Sequence, residues 1–294
     1  MLPRDVLRQI RLLQLRARRA VEDFLGGEYH SVFKGTGIAF EEVREYQPGD
    51  DVRSIDWNVT ARMGHPFVKR FIEERELTVM LLVDASASQS FGTVRQEKRD
   101  VAAELAAILA FSAISNNDKV GLIAFTDTVE RFVPPRKGLR HALRLIRDVL
   151  YFQPVRKGTC IQHGLDYLNR VIRRRCIAFL LSDFLDRGFE RSLKHAGRRH
   201  DLIALHIADP KENELPPVGL VQLEDAETNR QVMVDMRHRR TREMFAAAAR
   251  RRRDDLRRLM RSAQIDLIEV STDGSHLDSL IHFFQMRERR LRRT

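Results

Sequence analysis

The chain has 294 residues, of which 43% are hydrophobic and 32% charged, with a formal net charge of +11 at pH 7. That apolar share supports one large domain, or one domain with a smaller companion, and excludes a disordered chain. Its two cysteines, Cys160 and Cys176, exclude a disulfide framework and a structural zinc site, and no apolar run approaches the ~20 residues of a membrane span, so the expected setting is a reducing, cytoplasmic one.

The N-terminal stretch MLPRDVLRQIRLLQLRARRAVEDFL is too often interrupted by arginine for a signal peptide. Its spacing predicts a helix from about Pro3 to Phe24, with Val6, Ile10, Leu13, Ala17 and Phe24 near one face. After Gly26-Gly27 the pattern is irregular and short-stranded, with a strong turn signal at Gln47-Pro48-Gly49-Asp50. The single tryptophan, Trp57, follows. Trp57 and Tyr46 are expected to pack on the main domain, with Asp50, Arg53 and Asp56 forming local ion pairs. The sharper alternative makes this segment a recognition surface. Residues 1–76 are read as an N-terminal helix with its own irregular segment, and 77–294 as the main domain.

In the main domain, strands and helices alternate. TVMLLVD (78–84) is a continuous apolar run, as in a strand covered on both faces. Residues 96–115 show helical spacing, with Val101, Leu105, Ile108, Leu109 and Ser112 on one stripe. Strands are expected at 119–125 and 129–133, helices at 139–150 and 161–172, a strand at 176–183, a helix at 189–197 and a strand at 201–207. GLVQLEDAETNRQVMVD (219–235) reads as a hairpin. A long helix (239–263), a strand (265–272) and a helix from about Ser275 complete the chain. The repeated units imply a doubly wound, mainly parallel α/β sheet with helices on both faces.

The stretch LLVDASASQS (81–90) ends a buried strand in Asp84, Ser86 and Ser88. Ligands of an open parallel sheet bind beyond the carboxyl ends of its strands, near the reversal of strand order. Asp84 and Asp183 both stand at such ends, and Thr159 follows Gly158 just ahead of the 161–172 helix. Two carboxylates and three hydroxyls are hard oxygen donors, suited to Mg²⁺, with Mn²⁺ or Ca²⁺ as substitutes. Alternation in Asp-Ala-Ser-Ala-Ser lets a turning loop aim three polar groups inward. So few protein charges leave the metal electrophilic, open to an acidic side chain of a partner. Arg156 and Lys157 stand nearby to steer such a partner. The plainer account has the serines capping the next helix and the aspartate held by backbone amides.

This pattern resembles the metal-ion-dependent adhesion site of von Willebrand factor A domains, Asp-x-Ser-x-Ser followed by a distant Thr and a distant Asp. Asp84, Ser86, Ser88, Thr159 and Asp183 match all five positions. The resemblance implies that the serines and threonine coordinate directly and that the aspartates act directly or through water. A second resemblance covers nearly the whole chain. Tyr46, Gly49, Asp50, Arg53, Ile55, Asp56 and Trp57, followed by Ala61-Arg62, are similar to the segment that precedes the von Willebrand A-like domain in the family catalogued as domain of unknown function 58. That resemblance implies partnership with a MoxR-type AAA+ ATPase. Many relatives carry N-terminal membrane helices, which this chain departs from.

Enzyme motifs are missing. There is no GxxxxGK[ST] loop, GTGIAF (35–40) is a poor dinucleotide loop, and no GxSxG elbow presents a serine. Ser86 stands where phosphoaspartyl hydrolases generally show a second aspartate. His163 lies near Thr159 without a paired base. The resulting expectation is a non-enzymatic, metal-dependent adaptor. The alternative is nucleic-acid binding through residues 236–294, which carry 16 Arg against 8 Asp/Glu. That stretch lacks the run of interleaved aromatics that a stacking platform requires, and a solvated arginine face is the plainer account.

Overall fold

The computed structural model describes residues 12, 15–17, 19, 21, 29, 32, 39–72, 76–92, 96–274 and 276–291, the side chains of 39–42, 69–72 and 291 excepted. The helix expected over 3–24 lies largely outside these residues; of its expected face, Ala17 is described, and it is buried. The described residues fall into two compact units. One lies within 33–77, and the other joins 78–294 to the described residues before 33. The sequence division had instead been drawn at 76/77.

In the smaller unit, β1 (Ala39–Glu45) pairs antiparallel with β2 (Phe67–Ile72). The expected turn closes between them: the Asp50 amide donates to the Gln47 carbonyl at 3.0 Å, and Gly49 has φ 111°. A proline at the second position and a positive φ at the third are the requirements of a type II turn. A short helix, α1 (Trp57–Met63), is capped by the Asp56 carboxylate, which accepts from the amides of Asn58 and Val59.

The larger unit runs β3 (Thr78–Asp84), α2 (Lys98–Ser115), β4 (Lys119–Phe125), β5 (Val129–Arg136), α3 (Leu139–Leu150), α4 (Ile161–Val171), β6 (Ile177–Ser182), α5 (Glu190–Arg199), β7 (Asp201–Ala208), β8 (Leu220–Glu224), β9 (Gln231–Asp235), α6 (Arg239–Ala263), β10 (Asp266–Ser271) and α7 (His276–Leu291). Six strands form one sheet in the order β10-β7-β6-β3-β4-β5, parallel except for β5, which is antiparallel to β4. This is a doubly wound α/β fold. Strand β5 runs three residues past its expected end, through Pro134 and Pro135. It is an edge strand, where the missing proline N–H has no ladder to break.

Strand β3 sits between β4 and β6, so both its faces are covered and its apolar run is continuous. Met80 and Leu82 join Ile123, Phe125, Ala178 and Leu180 in a core under α4, α5 and α6. Helix α2 is buried over much more than one stripe, because it touches β3, β4 and β7 as well as both neighbouring helices, α3 and α7. Its alanines 102, 103, 106, 107, 110 and 113 permit that close approach.

Helix α4 is drawn tight to β4 at Gly164. A methyl group there would come within 2.9 Å of the Phe125 ring, which is fully buried. Gly164→Ala is therefore expected to lower stability by about 1–3 kcal/mol through overpacking, read as a lower urea midpoint. An unchanged midpoint would mean that α4 gives way freely.

Candidate metal and partner site

The chain leaves β3 outward to β4 and β5, then returns to the other side of β3 with β6. The reversal of strand order therefore falls between β3 and β6, the place where doubly wound sheets bind ligands. Asp84 ends β3 and Asp183 directly follows β6.

Asp84 is 1% exposed. Its Oδ1 accepts from the Ser86 amide at 3.0 Å, which folds the loop back, and its Oδ2 accepts from the Ser182 hydroxyl at 2.6 Å. The Ser86 and Ser88 hydroxyls lie 3.0 Å apart, with Ser86 leading into a short 3-10 turn over Ala87–Ser90. Ser182 also accepts from the Phe184 amide at 3.1 Å. Phe184 has φ 54°, a left-handed conformation that is costly for a bulky side chain. Strain is thus held in the residue immediately after Asp183.

Thr159 sits on a fastened loop. The Glu130 carboxylate accepts from the amides of Val155 (2.8 Å) and Arg156 (3.1 Å). Burial pushes the Glu130 pKa up, but these amides and the Thr126 hydroxyl outweigh it and leave it lowered. The Lys157 carbonyl accepts from the Ala87 amide at 2.9 Å, so the Thr159 loop is tied to the serine loop. The Thr159 hydroxyl donates to Glu227, in the β8–β9 turn, at 2.5 Å.

The electrostatics divide the two aspartates. Burial, and then the Asp183 charge, push the Asp84 pKa up to about 7, and no cationic side chain bonds Asp84 among the described residues. Asp183 has a cation of its own. Lys98, fully buried in the first turn of α2, donates to Asp183 at 2.7 Å and to Glu212 at 2.6 Å. Burial lowers the Lys98 pKa, but the two carboxylates outweigh it and leave it raised. A buried carboxylate without a cation, facing another carboxylate and flanked by hydroxyls, fits a hard divalent ion. Gln89, 2% exposed, adds in the same turn a buried Oε1 with no hydrogen-bond partner among the described residues. Asp84, Ser86, Ser88, Thr159 and Asp183 are the residues that could hold such an ion. Among the described residues there is no cluster of three or more His, Cys, Asp or Glu side chains arranged as a metal site.

Lys98, Ser182, Glu212 and Glu227 belong to this site and were not expected. Ser182 carried a signal: it precedes Asp183 at a strand end, in register to face Asp84. The others reach the site across 85, 114 and 68 residues of chain from their bonding partners.

A model of the family described as "Protein of unknown function DUF58" matches residues 42–255. The chain belongs to the DUF58 family. The uncharacterized protein Rv1480 of Mycobacterium tuberculosis is 35% identical over 285 residues, spanning 95% of this chain and 89% of its own. The uncharacterized protein YeaD of Bacillus subtilis is 30% identical over 107 residues, 36% of this chain and 25% of that protein. Two solved structures are similar at 15% identity. BatB from Bacteroides thetaiotaomicron covers 74% of this chain and 100% of its own with a TM-score of 0.43. The SpRpn10 VWA domain covers 71% and 95% with a TM-score of 0.40.

The remaining candidates of this DUF58 protein lie on loops. Arg156 and Lys157 are exposed, as steering residues must be, but both are engaged: Arg156 with Asp127 at 3.0 Å, Lys157 with Asn229 at 3.1 Å. In the smaller unit, the expected burial of Trp57 is corrected, since its side chain is 66% exposed. It stands in the first turn of a helix that has no buried residue. The expected local ion pairing is seen at Asp50. Asp50 pairs with Arg44 at 2.7 Å, and that guanidinium holds its carboxyl below the usual range. Asp56 serves as a helix cap, Arg53 is exposed, and Tyr46 is half-buried.

His163 lies against the Asp127 carbonyl at 2.5 Å. On α6, Arg239, Arg253, Arg257 and Arg258 pair with Glu243, Glu269, Glu269 and Asp255, which fits a solvated helix face. No helix of the described residues is long and apolar enough to cross a membrane.

Proposed function

We propose that this DUF58 protein is a metal-dependent protein-binding module. It works beside a separate MoxR-type AAA+ ATPase, as an adaptor in protein remodelling or complex maturation, and is not itself an enzyme. The observation that carries the reading is that Asp84 and Asp183 stand at adjacent strand ends on either side of the reversal of strand order, with the Ser86 and Ser88 hydroxyls 3.0 Å apart in the loop after Asp84. Mg²⁺ held by these side chains supplies an electrophilic centre for a carboxylate of the partner. One such contact cannot fix orientation, so the surrounding surface has to contribute most of the affinity. Arg156 and Lys157 flank the site for an acidic partner face. The non-enzymatic reading is supported by His163, whose ring faces a backbone oxygen and not a site hydroxyl, and by the lack of a phosphate-cradling loop in the sequence.

The test is capture of a purified MoxR-type ATPase on the immobilised chain, with Mg²⁺ and with EDTA. Chelation and Ser88→Ala are each expected to weaken binding at least about tenfold, a loss of about 1.4 kcal/mol. Higher salt should slow association more than it speeds release. Capture that ignores EDTA but is lost when residues 237–261 are removed would move the contact to α6. A salt titration with duplex and single-stranded DNA would then decide for or against nucleic acid.

A further inference from the structure

Among the described residues, the β8–β9 hairpin is a two-stranded sheet of its own, hydrogen-bonded to no other strand. Such a ribbon is marginal by itself, and Leu220, Val232 and Met233 on it are exposed. Its turn is nonetheless well built. The Asp225 carboxylate accepts from the amides of Glu227 and Thr228 and from the Thr228 hydroxyl, and the Asp225 carbonyl accepts from the Asn229 amide. Residues 225, 226 and 228–230 are exposed, whereas Glu227 is half-buried. It is turned onto the Thr159 hydroxyl, and two residues on, Asn229 accepts from Lys157. The turn thus touches one of the five expected metal-holding residues and one of the two steering residues. It brings a third carboxylate close enough to Asp183 for their charges to interact.

We propose that this turn is an internal latch. Glu227 supplies from within the chain the carboxylate that a partner otherwise brings, so an acidic partner has to displace it to reach the site. The hairpin is suited to such release because the named bonds of its turn to the site loop join polar groups, and its strands join no other sheet among the described residues. This rests on the cation-dependent reading above. It adds that the resting site is closed by the chain's own hairpin and that Glu227 sets the threshold for opening.

The full chain is titrated with Mn²⁺ alone, following water-proton relaxation and hydrogen exchange of residues 225–230. Glu227→Ala is expected to keep Mn²⁺ binding while raising the relaxation enhancement, because water enters the position the carboxylate held. Exchange in the turn should quicken at least about tenfold as the latch is lost. Unchanged relaxation and unchanged exchange overturn the latch, and if Asp84→Ala still abolishes Mn²⁺ binding, the cation site stands without it. Failure of the wild type to bind Mn²⁺ overturns the cation site and the latch with it. Because Glu227 lies in a surface turn, a normal melting temperature for the variant separates either outcome from misfolding.

Discussion

Lys98→Met is expected to lower the stability of the chain by about 3–5 kcal/mol, the usual cost of removing one partner from a buried ion pair. The Lys98 side chain is fully buried and the Asp183 side chain 2% exposed, while Glu212 is partly open to solvent at 26%. Methionine matches the length of the lysine stem and fills its space. The loss therefore reports charge and not packing. It leaves the Asp183 carboxyl group buried beside Asp84 without its cation. The second variant, Lys98→Met with Asp183→Asn, removes the stranded charge and should recover much of the loss. A double-mutant cycle on urea unfolding measures the coupling. A cost below about 1 kcal/mol for Lys98→Met would show that water reaches the pair and that the lysine is not structural. Lys98 also holds Oδ2 of Asp183, while the Leu185 amide donates to Oδ1 at 3.3 Å, so the lysine would set how that carboxylate faces a bound cation. Loss of Mg²⁺ affinity in Lys98→Arg, with stability kept, would show that positioning directly.

Much of this arrangement is legible in the sequence. A buried parallel strand must be apolar throughout, so the stop at Asp84 and again at Asp183 marks strand ends by itself, and those ends are where a doubly wound sheet exposes its loops. Helix and strand periods placed β3, β4, α3 and α6 with their observed limits. The failures have a common cause. Lys98 opens α2 as an ordinary charged residue, and only the fold brings Asp183 and Glu212 to it from 85 and 114 residues away. Glu227 looked like one more polar residue of a hairpin turn. Trp57 was expected inside because a large apolar ring usually finds a core, yet the helix it opens buries nothing. Local pattern reports which face of an element is apolar. It does not report which charged group a distant loop will meet.

Asp84→Asn is expected to abolish Mg²⁺ binding and at the same time to stabilise the metal-free chain. Metal affinity falls because a carboxylate becomes a neutral amide in a site whose other donors are mostly neutral hydroxyls, a loss of at least about a hundredfold that leaves no calorimetric signal. Stability moves the opposite way. The folded state pushes the Asp84 pKa up to about 7 through burial and the Asp183 charge, against about 3.9 in an unfolded chain. A carboxyl whose pKa is raised on folding favours the folded state while protonated in both, at low pH. It loses that favour as pH rises from about 4 through about 7. Asparagine never ionises, so the variant's advantage is small near pH 4, grows through that window and levels off above it. The plateau is on the order of 1–3 kcal/mol, discounted for the charge-assisted bonds from Ser86 and Ser182 that the amide replaces. Thermal melts in EDTA at pH 4.5 and 8 read the difference. With saturating Mg²⁺ the order should reverse at pH 8, because the ion binds only the folded wild type and adds stability with its concentration. A variant less stable than wild type in EDTA at pH 8 would mean that Asp84 already has a compensating partner, and equal Mg²⁺ affinity in both would remove the cation from the site. Both expected results follow from one feature: the metal-free fold bears the cost of a charge that the bound ion turns into affinity.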